Sequence, residues 1–378
     1  MALTRLDRLI DAVQRNCHVT DARHARGMTL CVYLLEMREF FRWEHGIPPG
    51  ATPPRGEVGS WLSAREALWE TLEDAAFEAI PFDDAHVEPF DVAAINRRLL
   101  PEGLIYGAGI GRFHKPHFFL GRLRRDLSDG PPRSHSLAAP HGGASPSLGR
   151  PDGRREHGVR VLVCGCEYAR DLTAIPAALQ GDTIVVRQEA LRQWLWEKAE
   201  AWAMKRQAGA MQSALAAHGY FDDAAGALER MTEGETETLI LHEQGEFLAG
   251  RQLGPEWEGM LSGLKKRRAE LLVRAVRDNW ADCLTTLPRL LERGAHGSIH
   301  FWFSNFDGMR RELFPLLVAA YADWVEHDRR EALEQAVARG AAHWGGVAGQ
   351  MLQRFREVGG AIDAELEQRT HDLAPIAL

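Results

Sequence analysis

Apolar residues recur at helical spacing over most of this chain, and the one stretch that breaks the rhythm limits what it can fold into. Leu3, Leu6, Leu9, Ile10 and Val13 form one apolar stripe, and Leu30, Tyr33, Leu34, Met37 and Phe41 form a second. A third helix is expected from Ser60 to about Phe77, after a proline- and glycine-rich loop that opens at Gly46. From Gln188 the helical pattern returns, through Trp194, Leu195, Ala199 and Trp202, and then Glu256–Arg277, Asp307–Trp324 and Arg329–Arg369. Between the two helical parts lie short, glycine-punctuated, aromatic-rich runs at Leu104–Phe113, His117–Leu123, Val159–Cys166 and Thr183–Arg187, which suit strands.

The expected fold class is α+β, predominantly α-helical. An N-terminal helical unit (residues 1–100) and a C-terminal helical bundle (188–378) flank a small, largely antiparallel sheet (101–187). Residues 126–158, full of Gly, Pro, Ser, Ala and Arg and without apolar periodicity, read as a flexible insertion in the β module. Helix stops or bends are expected at Gly254-Pro255, Leu287-Pro288, Gly294 to Gly297 and Gly345-Gly346.

With 45% hydrophobic residues, including 11 Trp and 15 Phe, the chain is too apolar to stay disordered. Its most apolar stretch, Leu313 to Val325, contains Pro315 and Asp323 and falls short of the roughly 20 residues that cross a bilayer. The first residues turn charged before an apolar run develops, so no secretory signal is expected. Five cysteines make no disulfide framework. These features predict a cytoplasmic protein without membrane contact and are compatible with a homo-oligomer.

The net charge of −8 is the sum of two unlike parts. Arg97 to Arg160 holds 12 Lys and Arg against 5 Asp and Glu, a surplus of +7, so the remainder carries −15. Within the basic stretch Arg112, Lys115, Arg122, Arg124 and Arg125 interleave with Phe113, Phe118 and Phe119, a mixture suited to holding phosphates and stacking bases of a nucleic acid. The same alternation fits strands with Phe in the core and Arg in solvent, or a face that docks on an acidic partner.

The segment Thr232 to Glu246 carries candidate metal chemistry. His242 and Glu246 are four apart and Glu235 is seven before His242, so one helix would project all three from one side. Glu36, beside the apolar Tyr33, Met37 and Phe40, is the best second carboxylate, because an acid there needs a partner or a ligand. Carboxylates with imidazole suit a divalent metal such as iron, although the spacing is not the Glu-x-x-His of ferritin-like bundles. The plainer reading makes Thr232 and Glu235 a capping box and His242–Glu246 a surface pair.

Other patterns read as structure. Glu66 and Glu70 suit a solvated face, and His296 and His300 suit a loop or cap, since Gly294 and Gly297 should interrupt a helix there. Cys164 and Cys166 share a strand face without a second pair, and Cys31 sits in an apolar helix, so these are expected as buried small residues. Gly107-Ala-Gly109-Ile-Gly111 departs from the dinucleotide fingerprint and reads as a glycine-rich turn or bulge. The aromatic run from His300 to Phe314 is core, or else lines a pocket with His300 and Asn305 as polar anchors.

Asn16-Cys-His, the run from Thr29 to Glu44, Leu241-His-Glu-Gln-Gly-Glu and Asn305-Phe-Asp-Gly-Met-Arg-Arg-Glu-Leu-Phe-Pro together resemble an uncharacterised family of conserved proteobacterial proteins. The resemblance covers most of the chain outside Asp126 to Gly158. It implies a bacterial cytosolic protein and carries no activity. The functional expectation is a metal- or small-molecule-binding helical protein, in its sharper form a carboxylate/histidine metal enzyme. The alternative is a non-enzymatic interaction protein that uses the basic β module.

Overall fold

The computed structural model describes residues 4–48, 50–54, 56–111, 114–127 and 158–368. Arg112, Phe113 and nearly all of the expected insertion at 126–158 lie outside the described residues. The protein is α+β and predominantly helical. It divides into two compact units, Met1–Trp196 and Glu197–Leu378, with the sheet built into the first.

The first unit opens with α1 (Arg5–His24), α2 (Leu30–Glu44) and α3 (Glu57–Leu72). A capping box between Thr4 and Asp7 starts α1 by satisfying otherwise unpaired backbone donors. On α2 the expected stripe is only half buried. Met37, Phe40 and Phe41 enter the core, where Trp61 of α3 meets both phenylalanines, whereas Leu30, Leu34 and Cys31 are exposed. A small ribbon of β1 (Ile80–Pro81) and β2 (His86–Val87) then leads into α4 (Val92–Leu99).

The main sheet comprises β3 (Leu104–Ile110), β4 (Pro116–Asp126), β5 (Arg160–Arg170), β6 (Ala177–Gln180) and β7 (Thr183–Arg187), in the order β3-β4-β5-β7-β6. All neighbours are antiparallel except β5 and β7. Alternation assigns its two faces. Tyr106, Ala108, Phe118 and Leu120 pack with Leu9, Val13 and Cys17 of α1, while Ile105, Phe119, Leu162 and Val185 form a second cluster on the other side. Register shifts between β4 and β5 at Leu120/Gly121, Arg122/Leu123 and Leu123/Arg125 strengthen the local twist. Gln180 of β6 donates to the Ala108 carbonyl of β3 at 3.3 Å, so the two edge strands approach each other and the sheet is curled.

Gly107-Ala-Gly109-Ile-Gly111 is therefore not a turn or bulge. Its first four residues lie inside β3, where Gly107 faces Phe119 and Gly109 faces His117 in the pairing register. A Cβ at Gly107 would come within 2.1 Å of the Phe119 ring, and the Arg187 guanidinium 4.5 Å over that ring blocks its retreat. Gly107→Ala is expected to lower the stability of the first unit by about 1–3 kcal/mol, read as a shift of the urea midpoint.

Helix α5 (Gln188–Lys205) runs across the boundary between the units. The second unit contains α6 (Ala210–Ala217), α7 (Ala224–Leu253), α8 (Pro255–Gly263), α9 (Arg267–Ala281), α10 (Leu287–Arg293), α11 (His296–Ser304), α12 (Gly308–Glu312), α13 (Pro315–His327), α14 (Arg330–Val358) and α15 (Ile362–Gln368). Three expectations change here. The chain does not stop at Leu287-Pro288: it widens into a π-helical turn over Asp282–Thr286 and continues into α10. Gly345-Gly346 does not stop α14, which runs on to Val358, and Gly345 lies against the Trp280 ring, whose Cε2 a Cβ would approach to 3.0 Å. Gly297 sits within α11, so His296 and His300 share one helix.

Candidate functional site

The curled sheet leaves a cavity of about 1070 Å³ within the first unit. Gly107, Gly109 and Gly111 contribute no side chains to its wall, and Phe119, Leu162 and Val185 make it apolar. Helix α4 closes one side with Val92, Asn96 and Arg97. Asn96 is held by two bonds to the Tyr106 backbone, at 2.8 and 2.9 Å. Two of the arginines lining the cavity are already committed. Buried Arg187 donates two hydrogen bonds to the Glu167 carboxylate, at 3.0 and 2.8 Å, and Arg160 meets Asp126 at 2.5 Å. Arg97, exposed on α4, has no ion-pair partner among the described residues.

One end of the cavity carries a cluster of ionisable groups. His117 of β4 lines the cavity with 15% of its side chain exposed. Its Nδ1 lies 3.1 Å from Asp171 Oδ2, which also accepts the Phe118 N–H at 3.1 Å. Asp171 is fully buried; burial alone would raise its carboxyl, but the bond and charge of His117, with Lys115 and Arg187, hold it below the ordinary value. With Asp171 ionised, Nδ1 donates to it, and the Nε2 edge of the ring lies against Gly111, where a Cβ would come within 2.7 Å. A short distance away Asp21 of α1 is equally buried, accepts the Leu172 N–H at 3.0 Å and lies 3.8 Å from Lys115 Nζ. Burial, with repulsion from Asp171, pushes Asp21 up to about 8. Two neighbouring carboxyls are thus driven apart in acidity, a pattern typical of functional sites.

A second polar cluster lies in the other unit, around His242 of α7. Its Nδ1 meets Asp282 Oδ1 at 2.8 Å and its Nε2 meets Glu246 at 3.5 Å. Arg277 bonds Glu246 at 2.8 Å and Asp278 at 3.2 Å. Arg310 pairs with the other Asp282 oxygen and lies over Trp302 and Phe306. Burial alone would lower His242, yet the two carboxylates on its ring raise it well above its usual value. Glu246 is held at about 2, since His242 and Arg277 outweigh its burial. With His242 protonated, the six charges balance as an interlocked network.

The four residues expected to share a metal are distributed differently. His242 and Glu246 meet, as their spacing on one helix implies. Glu235 faces Ser298 of α11 and Thr238, is 2% exposed, and is raised to about 7 by burial. It is not a capping residue: α7 begins at Ala224 under Asp223, and Thr232 lies within the helix with its hydroxyl on the Leu228 carbonyl. Glu36 belongs to the first unit, where its charge acts on Arg170. Among the described residues no group of three or more His, Cys, Asp or Glu is arranged to hold a metal ion.

Of the basic residues, Lys115 is nearly buried and donates to Thr173, Arg124 donates to Gln188, and exposed Arg122 lies near Cys166. Arg125 is half-buried on β4, and Arg112 lies outside the described residues. His296 and His300 both pack on Trp324, and His300 meets the Tyr321 hydroxyl, while Asn305 donates to the Phe301 carbonyl. Sequence reasoning passed over His117, Asp171, Asp21, Asp282 and Arg310. Their partners are 28 to 151 residues away, and only Gly109 and Gly111, one strand from His117, marked the place.

No helix among the described residues is long and apolar enough to cross a membrane. No curated protein and no solved structure matches the chain. Two family models do match, in order: the N-terminal domain of a family of unknown function, DUF6866, over residues 8–132, and the C-terminal domain of the same family over residues 192–372. The second match begins close to where the second compact unit does, and together they take in most of both units. The chain belongs to the DUF6866 family.

Proposed function

We propose that the first unit is a binding module for a small, mostly apolar molecule seated on the concave face of its sheet. The observation that carries this reading is the open cavity of about 1070 Å³ where three glycines remove side chains from one wall. Packed interiors leave few voids larger than a water molecule, whereas ligand pockets run to about 300–1,000 Å³ and combine apolar walls with a few polar groups. Phe119, Leu162 and Val185 supply the apolar surface here, and His117, Gln180 and Arg97 the polar points.

Phenylnaphthylamine, a neutral apolar dye, tests the proposal without knowledge of the natural ligand. Saturable binding of one dye per chain is expected. Ala178→Trp, a change on half-buried edge strand β6 that fills the cavity, should weaken it at least about tenfold, or 1.4 kcal/mol. Unchanged binding in a folded Ala178→Trp protein, or no saturable binding to the native protein, contradicts the proposal.

A further inference from the structure

We propose that the first two turns of α2 are a self-association surface, through which two copies of this chain pair about a twofold axis. Thr29 starts α2 without a side-chain cap, and Leu30, Cys31, Val32, Leu34 and Leu35 follow, all exposed. At 100° per residue these five sweep about 200° of the helix circumference. Tyr33, among them, is half-buried and turns to α3, where its hydroxyl donates to Glu66 at 2.8 Å. A helix apolar over so wide an arc belongs in an interior. Single exposed apolar side chains are ordinary, but four of the twelve large ones exposed among the described residues stand within these six positions.

Beside this ridge lies its complement. A hollow of about 370 Å³ opens between the end of α1, the start of α2 and α3, floored by Ala22, Ala25 and Trp69, with Leu30 in its wall as well as on the ridge. Its polar rim is satisfied within the chain: Arg26 pairs with Glu70 at 3.4 Å and Glu73 at 3.5 Å, and Glu66 accepts from Tyr33. A twofold contact uses one patch twice, so it needs a projection and a recess side by side, and homodimer interfaces are apolar inside a polar rim. A charged partner or an anionic lipid surface has little to hold, since Leu30 to Leu35 carries no charge and Arg26 is taken. The size of the patch also suits a second copy. With 46% to 71% of Leu30, Val32, Leu34 and Leu35 exposed, ridge and hollow offer on the order of 500 Å² per copy. Two copies then bury about 1,000 Å², the lower limit for a specific interface, so the dimer dissociates at micromolar concentrations. Cys31 lies in the middle of the exposed arc, between Leu34 and Leu35 around the helix, and comes near the twofold axis.

Sedimentation of the full chain from about 1 to 300 μM tests the proposal. The native protein should pass from monomer to dimer and stop there, since a twofold contact closes on itself. Leu34→Glu changes an exposed side chain and should leave the melting temperature within about 3 °C. It should weaken the dimer at least about thirtyfold, because it carries two carboxylates into an apolar contact. Leu271→Glu, on an exposed leucine of α9 in the second unit, should leave the dimer unchanged. Alkylation of Cys31 by iodoacetamide, followed by peptide mass, gives a readout independent of any variant. Its rate should fall at least about threefold across the concentration range, while that of half-buried Cys166 holds. A native chain that stays monomeric at the highest concentration overturns the proposal, whether Cys31 is then slow throughout because the patch is covered within one chain, or the protein floats with phosphatidylcholine vesicles instead. A dimer that Leu34→Glu leaves intact, or growth past the dimer, overturns it as well.

Discussion

Replacing Asp282 with alanine should cost the second unit about 3–5 kcal/mol, the penalty for leaving buried charges without their partner. Asp282 is 1% exposed and joins His242 of α7 to Arg310 of α12 from the π-helical turn after α9. Its removal leaves an imidazolium and a guanidinium facing each other across the space it filled. For a unit of this size the loss corresponds to a fall of about 10 °C or more in the melting temperature. The same variant should change the dependence on pH. In the native protein His242 is raised well above its usual value, so its contribution is complete below about pH 6.5 and fades as pH rises through the raised value. In Asp282→Ala only Glu246 remains on the ring, and that alkaline decline should shrink. Melting curves from neutral to alkaline pH read both effects; a loss under about 1 kcal/mol would mean that the network is solvated like a surface pair.

Glu235→Gln should do the opposite and stabilise the protein. Glu235 is 2% exposed on α7, one of its oxygens has no hydrogen-bond partner among the described residues, and burial raises it to about 7. An acid raised on folding binds more protons folded than unfolded. Its contribution is therefore present below about pH 4.5 and is lost as pH rises toward 7. Glutamine is neutral throughout and can still meet Ser298 and Thr238. The gain should be about 2–3 kcal/mol at pH 8 and close to zero at pH 4, where both side chains are uncharged. Urea midpoints at the two pH values measure it, and a loss of stability at pH 8 would show that the carboxylate is ionised and held by its partners.

Glu235 also shows how far local pattern reading reaches. Thr232-x-x-Glu235 has the spacing of a capping box, but Asp223 starts the helix earlier, and the pair ends up buried within it. Periodicity located most of the longer helices, four of the five strands of the main sheet and the shared face of His242 and Glu246, because those depend on neighbours a few residues away, and it passed over β6 and α4. The glycines were misread for a different reason. In sequence, Gly345-Gly346 and Gly107-Ala-Gly109 look like backbone breaks, whereas in space Gly345 admits the Trp280 ring and Gly107 the Phe119 ring. Only the fold reveals what a missing side chain makes room for. Asp282 reaches His242 across 40 residues, and Asp171 reaches His117 across 54, distances over which spacing carries no information.

Amide chemical-shift mapping of the native protein with phenylnaphthylamine tests whether the curled face of the sheet is a ligand site. Saturable shifts are expected at Gly107 to Ile110, His117, and Ala178 to Thr183, the backbone that lines the cavity. Shifts gathered instead on the exposed apolar turns of α2 around Leu30 and Leu34, or spread through the second unit with the sheet unmoved, would contradict it.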